Sequence, residues 1–255
     1  MYSRLYTLFL IPFSAALPHV RPRTQFSTSL SVLKQDLQNK WTTSLGTDSP
    51  SNATQPTDPA SFYQCSGPSV GSYPTRDQWL SFSDLWEINA PVITTSNSGD
   101  TYNDKIKTAI ESVAGDTKVD ARLILAIIMQ ESTGNVNIHC TGSGSTDCGL
   151  MQVRGGQSYS TDDSIADMVA EGVKGTSATP GYLAYFNADT SGDPFAAAHI
   201  YNVGSLSSID LTEASWGGPN AYANDIASRL LGWTGDHPGC VKSQSCSGLK
   251  ERTCY

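Results

Sequence analysis

Glu131 ends the run Leu123-Ile124-Leu125-Ala126-Ile127-Ile128-Met129-Gln130-Glu131, a helical stretch so apolar that packing alone would not select a carboxylate at its end. Apolar neighbours and the negative end of a helix dipole both disfavour the ionised form, so this position raises a carboxyl pKa. A carboxylic acid that keeps its proton near neutral pH can protonate a leaving oxygen, which is the demand of glycosidic bond cleavage. The competing reading of Glu131 alone is a surface glutamate at a frayed helix end. Two further polar punctuations weigh against it: Gly149-Leu150-Met151-Gln152 and Tyr201-Asn202-Val203-Gly204. Asp147, just before the first of these, is either a second carboxylate or a turn-forming loop residue, and the sequence leaves both open.

The elements that must position these groups read as mainly helical. Trp79, Phe82, Leu85 and Trp86 fall at helical spacing and form a lead-in segment packed on the body. A first full helix carries Tyr102, Ile106, Ile110 and Val113 on one face, with Gly115 as its stop. The helix bearing Glu131 opens at Asp120, whose carboxylate can accept first-turn N–H groups, with Val119 and Ile124 as a hydrophobic staple. It is apolar nearly all round and ends at Gly134, which predicts a buried central helix. A third runs from about Asp163 to a Gly175 cap, with Ile165, Met168, Val169, Gly172 and Val173 on one side. A fourth starts at Asp193-Pro194, an N-cap followed by proline at the first helical position, and carries Phe195, Ala198 and Tyr201. The last aligns Tyr222, Ile226, Leu230 and Trp233. No alternating strand series occurs, so the expected fold is a mainly α, lysozyme-like α+β helical bundle around a buried helix, with a small β-element within residues 137–154.

The 255 residues suit one good-sized domain with appendages. Arg4, the apolar run Leu5 to Phe13 and the small residues Ser14-Ala15-Ala16 read as a secretory signal over residues 1–16. That run is well short of the ~20 residues of a membrane span and contains Pro12. Residues 17–61 are rich in Ser, Thr, Gln, Asp and Pro and read as a disordered pro-segment or linker, with Asn52-Ala53-Thr54 as a glycosylation acceptor and a short helix at Val32 to Trp41. Residues 62–255 form the expected domain, with a disulfide-bonded C-terminus. A secreted chain pairs its six cysteines. Cys140 and Cys148, which bracket a short Gly/Ser-rich loop, are the first expected pair, and their closure is worth roughly 2–3 kcal/mol in the chain-entropy model. Cys65, Cys240, Cys246 and Cys254 leave either a terminal clasp or a local C-terminal knot.

Zinc-type spacings are absent, and His19, His139, His199 and His237 are the chain's histidines, so no metal and no cofactor is expected. The net charge of −8 and the lack of any basic run exclude a nucleic-acid binder of the usual kind. The same acidity gives no long-range attraction to anionic bacterial walls. A monomer is expected, since no heptad run calls for a partner.

Glu131-Ser132, Gly149-Leu150-Met151-Gln152 and Tyr201-Asn202-Val203-Gly204 resemble, in order, spacing and helical context, the soluble lytic transglycosylase and goose-type lysozyme superfamily, and in particular its secreted fungal branch. The resemblance runs from Tyr102 to Trp233. It implies that Glu131 is the single acid/base and that Ser132, counted among the substrate-binding residues, helps orient the site. Gly149, Leu150, Met151 and Gln152 would form the substrate-binding floor of a sugar cleft, with Tyr201 and Asn202 opposite and Tyr201 hydrogen-bonding near the glutamate. The implied substrate is a β-1,4-linked, N-acetylated polysaccharide, first peptidoglycan and next chitin oligomers. Cleavage follows either an anhydro-forming transglycosylase route or an inverting hydrolase route. Ile200 replaces the pattern's alanine, which would narrow the cleft, and Arg154 stands where goose-type enzymes carry a water-holding aspartate. The alternatives are a chitin-oligomer hydrolase and a non-catalytic secreted glycan-binding module; no Gly-x-Ser-x-Gly elbow supports a serine hydrolase.

Overall fold

The computed structural model describes residues 66–67, 71–190, 192–213 and 220–235. The signal, linker and glycosylation readings, together with Cys65, Cys240, Cys246 and Cys254, lie outside these residues. The elements are α1 (Phe82–Ser96), α2 (Asn103–Thr117), α3 (Ala121–Glu131), β1 (Asp147–Cys148), β2 (Val153–Arg154), α4 (Ser164–Lys174), α5 (Pro194–Val203) and α6 (Tyr222–Leu230). A 3-10 turn, Arg76–Gln78, precedes α1, and one helical turn, Tyr182–Ala184, leads into a π turn, Tyr185–Asp189. The architecture is the mainly helical, lysozyme-like α+β arrangement expected from the sequence. None of the described helices is long and apolar enough to cross a membrane.

Helix α3 is the centre. Leu123 through Met129 are all buried, so the helix needs neighbours on every side, and α1, α2 and α6 pack around it. Its start is held by Asp120, which accepts the Arg122 N–H at 3.0 Å. The same carboxylate takes Arg122 Nε at 3.0 Å and Nη2 at 2.8 Å, and Arg76 Nη2 at 2.6 Å. Arg122, 1% exposed, also lies 4.9 Å from the centre of the Trp79 ring. This buried ion cluster is absent from the sequence reading of an almost wholly apolar helix. Burial pushes the Asp120 carboxyl upward, but the two guanidinium groups more than offset it and hold the pKa below the usual 3.8.

Two helix boundaries differ from expectation. Of the lead-in residues, Phe82, Leu85 and Trp86 belong to a full helix, α1, which continues through the exposed Pro91, while Trp79 caps the 3-10 turn before it. Gly115 does not stop α2; the helix runs to Thr117, and Lys118 takes the left-handed cap at φ 63°, its N–H bonding the Ala114 carbonyl. Local side-chain bonds favour the longer form: Thr117 Oγ1 donates to the Val113 carbonyl and Lys118 Nζ to that of Gly115. By contrast, α5 starts as read, with Asp193 accepting the N–H groups of Phe195 and Ala196 at 2.9 and 2.7 Å. The small β-element is an antiparallel pair, Asp147 opposite Arg154 and Cys148 opposite Val153. Cys140 and Cys148 are joined, as their bracketing of the loop predicts.

Asp120→Asn leaves Arg122 buried without its counter-charge, and the expected cost is about 3 kcal/mol or more in denaturant unfolding. A carboxyl with a depressed folded pKa contributes stability above its unfolded pKa and loses it as pH falls through the folded value. The parent should therefore lose stability as pH drops below about 4, and the asparagine variant should show a smaller loss there.

Candidate active site

Glu131 is the last residue of α3, half-buried at the mouth of the helix end. Tyr222, the first residue of α6, donates its hydroxyl to Glu131 Oε1 at 2.6 Å. Burial raises the Glu131 carboxyl from the usual 4.5 to about 7; the Tyr222 hydrogen bond opposes that rise, the Asp147 charge adds to it and the Arg229 charge opposes it. Around neutrality the carboxyl is thus divided between its protonated and ionised forms. Behind it, Gln130 donates to Asp225 Oδ2 at 3.0 Å and accepts from Arg229 Nε at 2.8 Å, which fastens the end of α3 to α6.

Ser132 is 3% exposed and faces inward. Its hydroxyl lies 3.0 Å from the Ile128 carbonyl and 2.8 Å from that of Leu150, and accepts the Gly134 N–H. It is therefore a tie between the end of α3 and the Gly149–Gln152 turn, which corrects its assignment as a substrate contact. Leu150 and Met151 need the same correction. Both side chains are fully buried, and Met151 lies so close over Gly172 of α4 that an added Cβ there would collide with it. Only their main chain can face a ligand.

Gly149 has φ 77°, and a Cβ at that position would meet the Gln157 carbonyl at 2.8 Å, so the turn requires glycine. Gln152, at φ 46°, returns both its N–H and its Nε2 to the Gly149 carbonyl, at 3.0 and 2.9 Å. Its Oε1 accepts the Thr141 hydroxyl at 2.7 Å. The floor is thus braced by its own side chain.

A cavity of about 370 Å³ opens above this floor, within the range of small-molecule sites. Gln152, Tyr201, Asn202 and Asp147 line it with Arg154 and Tyr185; Glu131 lies beside it, coupled electrostatically to Asp147 and Tyr201. Tyr201 hydrogen-bonds the Met151 carbonyl at 2.8 Å, not the glutamate, so the expected glutamate–tyrosine contact exists but is made by Tyr222. Asn202 is exposed and bonded to Asn220 at 2.8 Å. Asp147 Oδ1 takes Arg154 Nε at 3.5 Å and the Thr146 hydroxyl at 3.2 Å.

Ile200 is buried and does not narrow the cavity. His199 is buried against the Leu211 main chain, and burial keeps its pKa below the usual 6.5. Among the described residues no group of three or more His, Cys, Asp or Glu could hold a metal. Of the tyrosines left open by the sequence, Tyr185 lines the cavity, Tyr182 is buried with its hydroxyl on the Pro194 carbonyl, and Tyr159 pairs with Asp162 and Tyr102 elsewhere. Tyr222 escaped the sequence reading because its stripe with Ile226 and Leu230 marks core, and nothing local points from it to a partner 91 positions away.

Residues 108–213 match the family model of the transglycosylase SLT domain, whose activity is a lysozyme-like, lytic-transglycosylase-type cleavage of glycans. No curated protein and no solved structure matches the chain.

A carboxyl with a raised folded pKa favours folding below its unfolded pKa and loses that contribution as pH rises from about 4.5 to 7. Glu131→Gln, neutral at every pH, should thus be more stable than the parent at pH 8 by on the order of 1–3 kcal/mol and show no such gain at pH 4. Tyr222→Phe removes a bond to the ionised form, so carbon-13 NMR of the Glu131 carboxyl should report a pKa above the parent's about 7.

Proposed function

We propose that this protein, whose residues 108–213 match the family model of the transglycosylase SLT domain, is a secreted enzyme cleaving β-1,4 bonds of peptidoglycan, with Glu131 as its single acid/base. The observation that carries this reading is one carboxyl with a pKa of about 7 beside a sugar-sized cavity. Secretion rests on the signal-like character of residues 1–16.

The reaction uses both protonation states of one group. Protonated Glu131 gives its proton to the glycosidic oxygen as the leaving sugar departs, and the 2-acetamido oxygen of the substrate stabilises the developing positive charge. Glu131, now ionised, removes the proton from the sugar's 6-hydroxyl, whose oxygen closes an anhydro ring and restores the acid. The pKa of about 7 suits an acid that must become a base in the next step. Tyr222 holds the carboxylate in place between the two steps, and the Ser132 tie fixes the floor beneath it. Asp147 is engaged by Arg154 and Thr146, which favours the anhydro route over water activation by a second carboxylate.

Digestion of purified peptidoglycan in heavy-oxygen water, read by mass spectrometry, tests this mechanism. The expected products are lighter by one water and free of label; labelled reducing ends would replace the anhydro route by hydrolysis and turn attention to Asp147. Glu131→Gln should lose at least about a hundredfold in rate while remaining folded. Undiminished activity in that variant would overturn the assignment of the acid, and cleavage of chitin oligomers alone would change the substrate.

A further inference from the structure

Asn220 is not among the residues that line the cavity, yet its side-chain amide bonds both to the cavity wall and to the residue that holds the acid. We propose that Asn220 is a positioning residue for the cleavage reaction, keeping the Tyr222 hydroxyl, and with it the Glu131 carboxyl, in register with the wall at Asn202; this rests on the glycan-cleaving reading above.

The start of α6 needs an anchor from outside the helix. Ala221, at its N-cap, has no side chain that could accept the free N–H groups of the first turn. Asn220 supplies an acceptor: its Oδ1 takes the Tyr222 N–H at 3.1 Å. Its own N–H donates to the Thr212 carbonyl at 2.9 Å. Thr212 is in turn fully buried, with its N–H and hydroxyl both on Asp210 Oδ1, at 3.0 and 2.6 Å. Asn220 is thus tethered to the body of the protein and tethers the first residue of α6. A tyrosine ring turns on only two torsions, so a shift of the Tyr222 main chain passes to the hydroxyl that meets Glu131 Oε1 at 2.6 Å.

The same amide reaches the wall of the cleft. A backbone N–H can only donate, so the Tyr222 contact fixes which end of the Asn220 amide is oxygen. The other end, Nδ2, donates to Asn202 Oδ1 at 2.8 Å, and Asn202 lines the cavity. With that bond made through its oxygen, Asn202 has its Nδ2 donors to offer an acceptor on a bound sugar. Bonds that share an amide in this way strengthen one another, so a sugar held by Asn202 tightens the contact to Asn220. A turn residue that served stability alone would need only the bond to Tyr222. The second bond, to a residue of α5 18 positions away, is what ties the placement of the acid to the wall that meets the substrate.

The test follows kcat and KM of the full-length protein on solubilised peptidoglycan strands, alongside carbon-13 NMR of the Glu131 carboxyl. Asn220→Ala should lose roughly ten- to a hundredfold in kcat while KM moves by less than about threefold. Its Glu131 carboxyl should titrate above the parent's about 7, because the Tyr222 bond to the ionised form is weakened. Since the effect passes through Tyr222, adding Asn220→Ala to Tyr222→Phe should bring no further rise in pKa and little further loss in kcat. Losses that multiply, or a carboxyl that titrates as in the parent, overturn the proposal. Asn220→Ser retains an acceptor for the Tyr222 N–H and lacks the amide donor to Asn202. It should keep the carboxyl near the parent value and recover only part of kcat; full recovery overturns the link to the wall. A protein that cleaves peptidoglycan with kcat and pKa both indifferent to Asn220→Ala keeps the enzymatic reading and loses this one. A protein that leaves peptidoglycan intact loses both.

Discussion

The burial of α3 on all sides is the constraint from which the rest of the structure follows. A helix with apolar residues at every position from Leu123 to Met129 has no face to offer water, so α1, α2 and α6 must enclose it. Enclosure gives the last residue an environment it would not have on a surface helix. The desolvation that stabilises the core is the same desolvation that holds a proton on Glu131. Chemistry and packing are therefore not separate achievements here.

Placing the carboxyl is a matter of cross-ties between elements distant in sequence. Ser132 joins the helix end to the Gly149–Gln152 turn, Tyr201 joins that turn to α5 through the Met151 carbonyl, and Tyr222 joins α6 to Glu131. Met151 seated over Gly172 adds α4 to the set. Apart from the Tyr222 hydroxyl on the Glu131 carboxylate, each tie uses a main-chain carbonyl or a close packing contact, so the motif residues serve largely to fix the position of the backbone. The groups left to meet a ligand are those of the cavity wall: Gln152, Asn202, Tyr185, Tyr201, Asp147 and Arg154.

What could be read in the sequence was what local chemistry determines. Asp120 and Asp193-Pro194 announce helix starts through their own first-turn bonds, Gly175 caps α4, and Cys140 and Cys148 are neighbours across a short loop. The end of α2 was misread because Gly115, the expected stop, is bypassed by a non-glycine cap at Lys118. The Asp120–Arg122–Arg76 cluster was invisible because hydrophobic periodicity says nothing about which charges meet inside. Tyr222 was legible as helix and as core, but not as the partner of Glu131, since that pairing exists only once α6 has folded back across α3. The motif residues Ser132, Leu150 and Met151 were found in the right neighbourhood with the wrong duty, because motif order does not reveal which way a side chain points.

The two ends of α3 are electrostatic opposites. At the first, an aspartate is kept ionised by two arginines; at the last, a glutamate is kept protonated by its surroundings. Acid strains the first end and alkali the second, so one helix of 11 residues brackets the habitat in which the fold is comfortable. These two carboxyls together favour mildly acidic conditions, in which each is in the state that the surrounding core prefers.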